Sequence, residues 1–116
     1  MADYLEVTGA DGELVCRCRV ANSFASRFRG LMGAAQLPPG SGLLLPGTSS
    51  VHTHFMRFPI DVVFLDSGWR IVSVVAALRP WRLAAAKNAA SVLELAGGEC
   101  ERLGLAEGDV LRELAV

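Results

Sequence analysis

The chain is 116 residues long, 52% hydrophobic and 20% charged. That composition excludes a disordered segment, and the length suits one domain, residues 1–116, burying roughly 65% of its unfolded surface. A formal net charge of -1 excludes a general electrostatic pull toward nucleic acid or anionic membrane, so neither is expected as a partner.

Residues 4–8 read as a short strand. Gly9-Ala10-Asp11-Gly12 is a turn, because Asp-Gly tolerates the positive φ of a tight hairpin. Residues 13–20 then alternate. Leu14, Cys16, Cys18 and Val20 share one face and Glu13, Arg17 and Arg19 the other, as in a half-buried antiparallel strand. Cys16 and Cys18, two apart on a strand, are poorly placed to bridge each other, and with Cys100 they form no paired CxxC framework. Buried, reduced thiols are expected. Asn22-Ser23 offers a helix N-cap, and Phe24, Phe28 and Leu31 follow as one helical stripe closed by Gly33. Gly30 inside it suggests an early helix end or a close backbone approach.

Residues 37–42 read as a loop, and residues 43–45 as a short buried strand stopped by Pro46-Gly47. Gly40, Gly42 and Gly47 read as loop punctuation. Residues 48–51 are a polar lead-in to HTHFMRFPIDVVFLD, residues 52–66, the densest stretch of the chain. Within it, residues 61–65 are apolar on both faces, which marks an interior strand. Asp66-Ser67-Gly68 turns the chain, and residues 69–78, rich in β-branched side chains, return as its hairpin partner. Residues 79–82 form a loop. The alanine-rich residues 83–90 read as a brief helix or an irregular connection. Residues 91–96 are a strand, residues 99–103 a helical turn capped by Gly104, and residues 110–114 a closing strand. The sum is six to eight short strands with two or three short helices. That is a mainly β chain, forming a single compact β-sandwich or a partly closed β-barrel.

Four side chains stand out for chemistry. His52 and His54 form an H-x-H pair; on an extended segment both imidazoles leave one face about 7 Å apart at Cα. That spacing suits two ligands of one divalent metal, but the chain has only two histidines, so Asp61, Glu94 or a cysteine would have to complete the set. The plainer reading has one histidine packed and the other solvated. Asp61 follows Pro59-Ile60 at a strand entrance, where an aspartate either accepts backbone N–H bonds in a corner or belongs to a site. Glu94 lies on the opposite strand face from Leu93 and Leu95 in a strand that otherwise reads as buried. A buried carboxylate needs a cation or a cleft, and Arg29, Arg57, Arg79 and Arg82 are the candidate cations. No G-x-S-x-G elbow, phosphate loop or dinucleotide fingerprint is present.

Arg29-Gly30-Leu31-Met32, the block at residues 52–66 and Val92-Leu93-Glu94-Leu95 occur in an order and spacing that resemble the domain of unknown function 192 family over about residues 20–110. The resemblance implies a compact β-sandwich fold and no established activity. It sets Asp61 on the aspartate of the family block, and it sets His52 where other members carry tryptophan, which weakens a ligand role there.

The functional reading is a small-ligand or peptide binding module. Its polar cleft would lie near His52 and Asp61, the loop from Arg79 to Arg82, and Glu94, with Arg57, Arg79 and Arg82 meeting anionic groups and Phe55, Met56 and Trp81 as apolar walls. The alternatives are a metal-assisted or acid–base enzyme using His52, His54, Asp61 and Glu94, and an accessory protein without chemistry. The sequence requires no cofactor. The chain opens without a basic start or apolar core and has no stretch of ~18 apolar residues, so a soluble, cytoplasmic protein is expected.

Overall fold

Alternating and doubly apolar segments dictate strands, and nine form in the computed structural model, which describes residues 3–23, 26 and 30–114. They are β1 (Asp3–Gly9), β2 (Leu14–Val20), β3 (Ser41–Pro46), β4 (Ser50–His52), β5 (Ile60–Leu65), β6 (Ile71–Leu78), β7 (Leu83–Ala85), β8 (Ser91–Ala96) and β9 (Leu111–Leu114), with helix α1 (Glu99–Leu103) before β9. Seven strands make one sheet in the order β6-β5-β8-β3-β2-β1-β9, and β4 and β7 pair separately. Among the described residues, only β2 and β3 run parallel. A parallel pair cannot be joined by a tight turn, hence the long connection through residues 21–40.

The sheet curls until its edges touch. Arg70 bridges to Val110, the Ile71 N–H donates to the Asp109 carbonyl at 2.8 Å, and the Leu111 N–H donates to the Trp69 carbonyl at 2.9 Å. One apolar cluster gathers Val7, Leu111, Ile71, Leu65, Leu93 and Leu95 from both edges and the centre, so it fills the concave side. A second, with Leu43, Leu45, Val51, Met56, Ile60, Val62, Phe64 and Val92, lies on the other face of the central strands. β5 is buried along its whole length. Val63 and Leu65 enter the first cluster, Val62 and Phe64 the second, as the two-sided apolar pattern requires.

Three expectations change. The strands number nine among the described residues, not six to eight, because β4 and β7 span only three residues each, too few for a periodicity to show. The alanine-rich segment begins with β7 rather than a helix: Val51 opposes Ala84, and this pairing overrides alanine's helical preference. Gly42 lies inside β3 rather than in a loop. A Cβ there would meet the Glu94 carbonyl oxygen at 3.1 Å, Leu95 Cδ2 at 3.1 Å and Cys16 Sγ at 3.2 Å.

One helix, α1, is bounded among the described residues, against the two or three expected. Phe24, Phe28 and Arg29 of the expected first helix lie outside the described residues. At its expected start, the Ser26 N–H donates to Ser23 Oγ at 3.0 Å and the Ser23 N–H to Ser26 Oγ at 3.1 Å. Gly30 takes φ 50° and donates its N–H to the Ser26 carbonyl at 2.9 Å. The three cysteines are free and buried. No helix of the described residues is long and apolar enough to cross a membrane.

Candidate functional site

Side chains alternate along β8. Leu93 and Leu95 enter the concave core, which turns Val92 and Glu94 to the other face. β8 lies between β5 and β3, and Glu94 is directly opposed by Val62 on one side and Leu43 on the other. A carboxyl set between two apolar side chains on interior strands has no donor on its cross-strand neighbours. Glu94 is 3% exposed, and its Oε1 is the one buried side-chain oxygen among the described residues without a hydrogen-bond partner. Burial pushes its pKa up to about 8.

Glu94 lines a cleft of about 450 Å³, a ligand-sized volume. Leu31, Leu45 and Val51 provide apolar wall, and Thr48, Ser49 and Ser50 provide hydroxyls. Gly47, at φ 63°, turns the chain out of β3 so that these hydroxyl residues can line the cleft. His52 and Leu83, paired across β4 and β7, are the remaining side chains the cleft uses.

The segment after β4 is held by Thr53, which is fully buried. Its N–H donates to the Arg82 carbonyl at 2.9 Å, and its carbonyl accepts the Trp81 N–H at 3.0 Å. Its hydroxyl donates to the Arg79 carbonyl at 2.5 Å and accepts the Arg82 N–H at 2.8 Å. One threonine thus fastens the histidine segment to the loop after β6. The sequence reading passed over it. The available signal was the H-x-H spacing itself, which turns the middle residue away from both histidines.

That fastening stacks the rings above it. His52 and His54 lie 5.1 Å apart between centroids, His54 and Trp81 5.3 Å, and Phe55 and Trp81 4.7 Å. The His54 N–H donates to His52 Nδ1 at 3.2 Å, which uses that nitrogen's lone pair. Phe55, Trp81 and Leu83 are 59%, 56% and 74% exposed, forming an apolar ledge that Leu83 joins to the cleft. Phe55 and Trp81 both take φ 64°, a left-handed conformation costly for an aromatic residue.

Asp61 lies elsewhere. It stands opposite Leu95 across β5 and β8, on the face away from Glu94. Its Oδ1 accepts the Ala77 N–H at 2.8 Å and its Oδ2 the Cys100 N–H at 2.8 Å. Gly98, the residue before α1, has no side chain to cap it, so Asp61 supplies the cap from 39 residues away. The second carboxyl at that helix, Glu99, accepts the Gly40 N–H at 2.9 Å and pairs with Arg102 at 2.6 Å. The Arg102 hydrogen bond, with that of Gly40, holds its carboxyl below the usual range. The Cys100 thiol is pushed up to about 12 by burial and by Asp61 beside it.

The structure therefore brings Glu94 and His52 to one cleft, with His54 stacked behind His52. It does not bring Asp61 to them. Arg57, Arg79 and Arg82 are exposed and are not among the residues lining the cleft; Arg79 and Arg82 meet the histidine segment through their backbones. Among the described residues, no three His, Cys, Asp or Glu side chains are grouped to hold a metal ion.

A UPF0127 protein of Thermococcus sibiricus is 36% identical over 98 residues, 80% of this chain and 63% of that protein. One from Thermococcus kodakarensis is 35% identical over 100 residues, 82% of this chain and 63% of that protein. The chain thus spans less than two thirds of these relatives. The fold is shared with a crystal structure from Sinorhizobium meliloti 1021, provisionally described as a transcription regulator, at a TM-score of 0.84 and 25% identity over 97% of this chain and 94% of that one. A protein of unknown function from Novosphingobium aromaticivorans matches at a TM-score of 0.82 and 25% identity, over 96% of this chain and 84% of its own. The DUF192 family model, described as Uncharacterized ACR, matches residues 6–113, and the chain belongs to that family.

Proposed function

We propose that the chain is a binding module for a small polar ligand, taken up in the cleft over β8 with Glu94 at its floor. The observation that carries this reading is the buried, unpartnered Oε1 of Glu94. A buried carboxyl oxygen without a hydrogen-bond partner costs about 1–3 kcal/mol, and such a cost persists in a folded protein when a ligand recovers it. The hydroxyls of Thr48, Ser49 and Ser50 add orientation, and the ledge of Phe55, Trp81 and Leu83 adds apolar contact beside the cleft. Arg79 and Arg82, on either side of Trp81 in the chain, and Arg57 serve in this proposal as contacts for groups that extend beyond the cleft. The reading includes a reducing, cytoplasmic setting, supported by the buried free thiols. It also takes the curled sheet as a partly closed barrel rather than a sandwich, supported by the bridge between its edge strands.

The test is Glu94→Gln, measured by thermal melting with and without a metabolite library near neutral pH. The expected variant melts higher than the parent without ligand and loses the ligand-induced shift that the parent shows. A lower melting temperature for the unliganded variant would make Glu94 a structural group and end the reading.

A further inference from the structure

We infer that the group this cleft takes at Glu94 is a cationic amine, carried on an apolar body that lies along Leu83. The inference rests on the binding reading above and assigns its ligand class.

Three observations select the charge. The carboxyl is 3% exposed with Oε1 unpartnered, and its cross-strand neighbours Leu43 and Val62 offer no donor, so a partner must arrive through the cleft. Among the described residues lining the cleft there is no lysine or arginine, and His52 is the one other titratable side chain. Its Nδ1 already accepts the His54 N–H. An anionic ligand would therefore meet a carboxyl oxygen with no lysine or arginine among the described lining residues to balance it. Finally, the remaining polar side chains are the hydroxyls of Thr48, Ser49 and Ser50, whose oxygens can accept from a donor. Thr48 Oγ1 donates its proton to the Pro46 carbonyl at 3.1 Å, which leaves its oxygen lone pairs for a donor. An ammonium group carries three donors, and a carboxylate with two hydroxyl oxygens matches them.

A neutral donor would also relieve Oε1, so the discrimination lies in strength. Charge-assisted hydrogen bonds are roughly twice as strong as neutral ones, and a buried carboxylate recovers its desolvation only against an opposite charge. The apolar body follows from Leu31, Leu45, Val51 and Leu83, which make up the rest of the wall. Binding of the cation also expels the proton that burial keeps on Glu94, whose pKa stands at about 8 in the free protein. Affinity then rises with pH through the range below that value. His52 is the lining group whose own titration must be followed beside it.

The probes are benzylamine, benzyl alcohol and benzoate, which share one ring and differ in charge, titrated into the full chain by calorimetry in buffers of differing ionisation enthalpy. Chemical shifts of the Glu94 carboxyl and His52 ring are followed in parallel. Benzylamine is expected to bind more tightly than benzyl alcohol by on the order of ten-fold, to release a proton from Glu94, and to lose that advantage in Glu94→Gln. Equal binding of benzyl alcohol, or preferential binding of benzoate, overturns the amine while leaving the cleft a binding site. Absence of any shift at Glu94 and His52 with all three removes the binding reading as well.

Discussion

Asp61 and Glu94, carboxyls on neighbouring strands, have opposite fates, and the difference is what faces them. Asp61 meets two backbone N–H groups, at Ala77 and Cys100, and is fully satisfied. Asp61→Ala leaves both N–H groups without their acceptor and is expected to cost about 2–4 kcal/mol in urea unfolding, with faster amide exchange at Cys100. Glu94 meets leucine and valine and stays protonated. Its pKa is about 8 in the folded chain against an ordinary 4.5. Below 4.5 both folded and unfolded chains hold the proton. Between 4.5 and 8 only the folded chain holds it, so stability falls as pH rises, and above 8 the loss is complete. The gap in stability between Glu94→Gln and the parent should thus widen across that window, by on the order of a few kcal/mol, and then level off. A gap that does not change with pH would mean that Glu94 ionises normally. Glu99 works in the opposite sense. Its carboxyl is lowered by Arg102 and Gly40, so its contribution is present at neutral pH and is lost as the solution is acidified through the folded-state value.

At the scale of elements, two small residues set how strands approach. Gly42 lets β3 lie close to Glu94, Leu95 and Cys16, so that a methyl group there would have to push its neighbours aside by a few tenths of an ångström. Gly42→Ala is expected to destabilise the fold by about 1–3 kcal/mol, read as a lower urea midpoint with an unchanged slope. Thr53 fastens the segment after β4 to the loop after β6 through both backbone groups and its hydroxyl. Thr53→Val keeps the shape and removes the hydroxyl, so the Arg82 N–H loses its acceptor. The expected cost is about 1–2 kcal/mol, with amide exchange rising at Arg82. Uniform destabilisation without that local change would show that the hydroxyl does not hold the loop. Much of this level was legible in the sequence. The β1–β2 turn, the doubly buried β5, the β5–β6 hairpin and the Gly104 cap all follow from local patterns. β4 and β7 were not legible, because three residues carry no period and their pairing joins segments about thirty positions apart.

At the scale of the whole molecule, the seven-stranded sheet separates two apolar layers, and the site depends on which layer each side chain joins. Alternation within β8 sets Glu94 apart from Leu93 and Leu95, and this was visible in the sequence. Alternation within β5 likewise groups Asp61 with Val63 and Leu65. The relation between the two strands was not visible. It is fixed by the register that pairs Val62 with Glu94 and Asp61 with Leu95. A slip of one residue would exchange the faces and put both carboxyls on the same side. By itself, then, the sequence determined the seven longer strands, the family and the burial of Glu94, because each rests on local period or motif. Only the tertiary structure decided that Asp61 caps a helix, that Arg57, Arg79 and Arg82 stay outside, and that Glu94 opens into a cleft beside His52. Register and sheet curl are properties of pairing between distant segments, and no local pattern carries them.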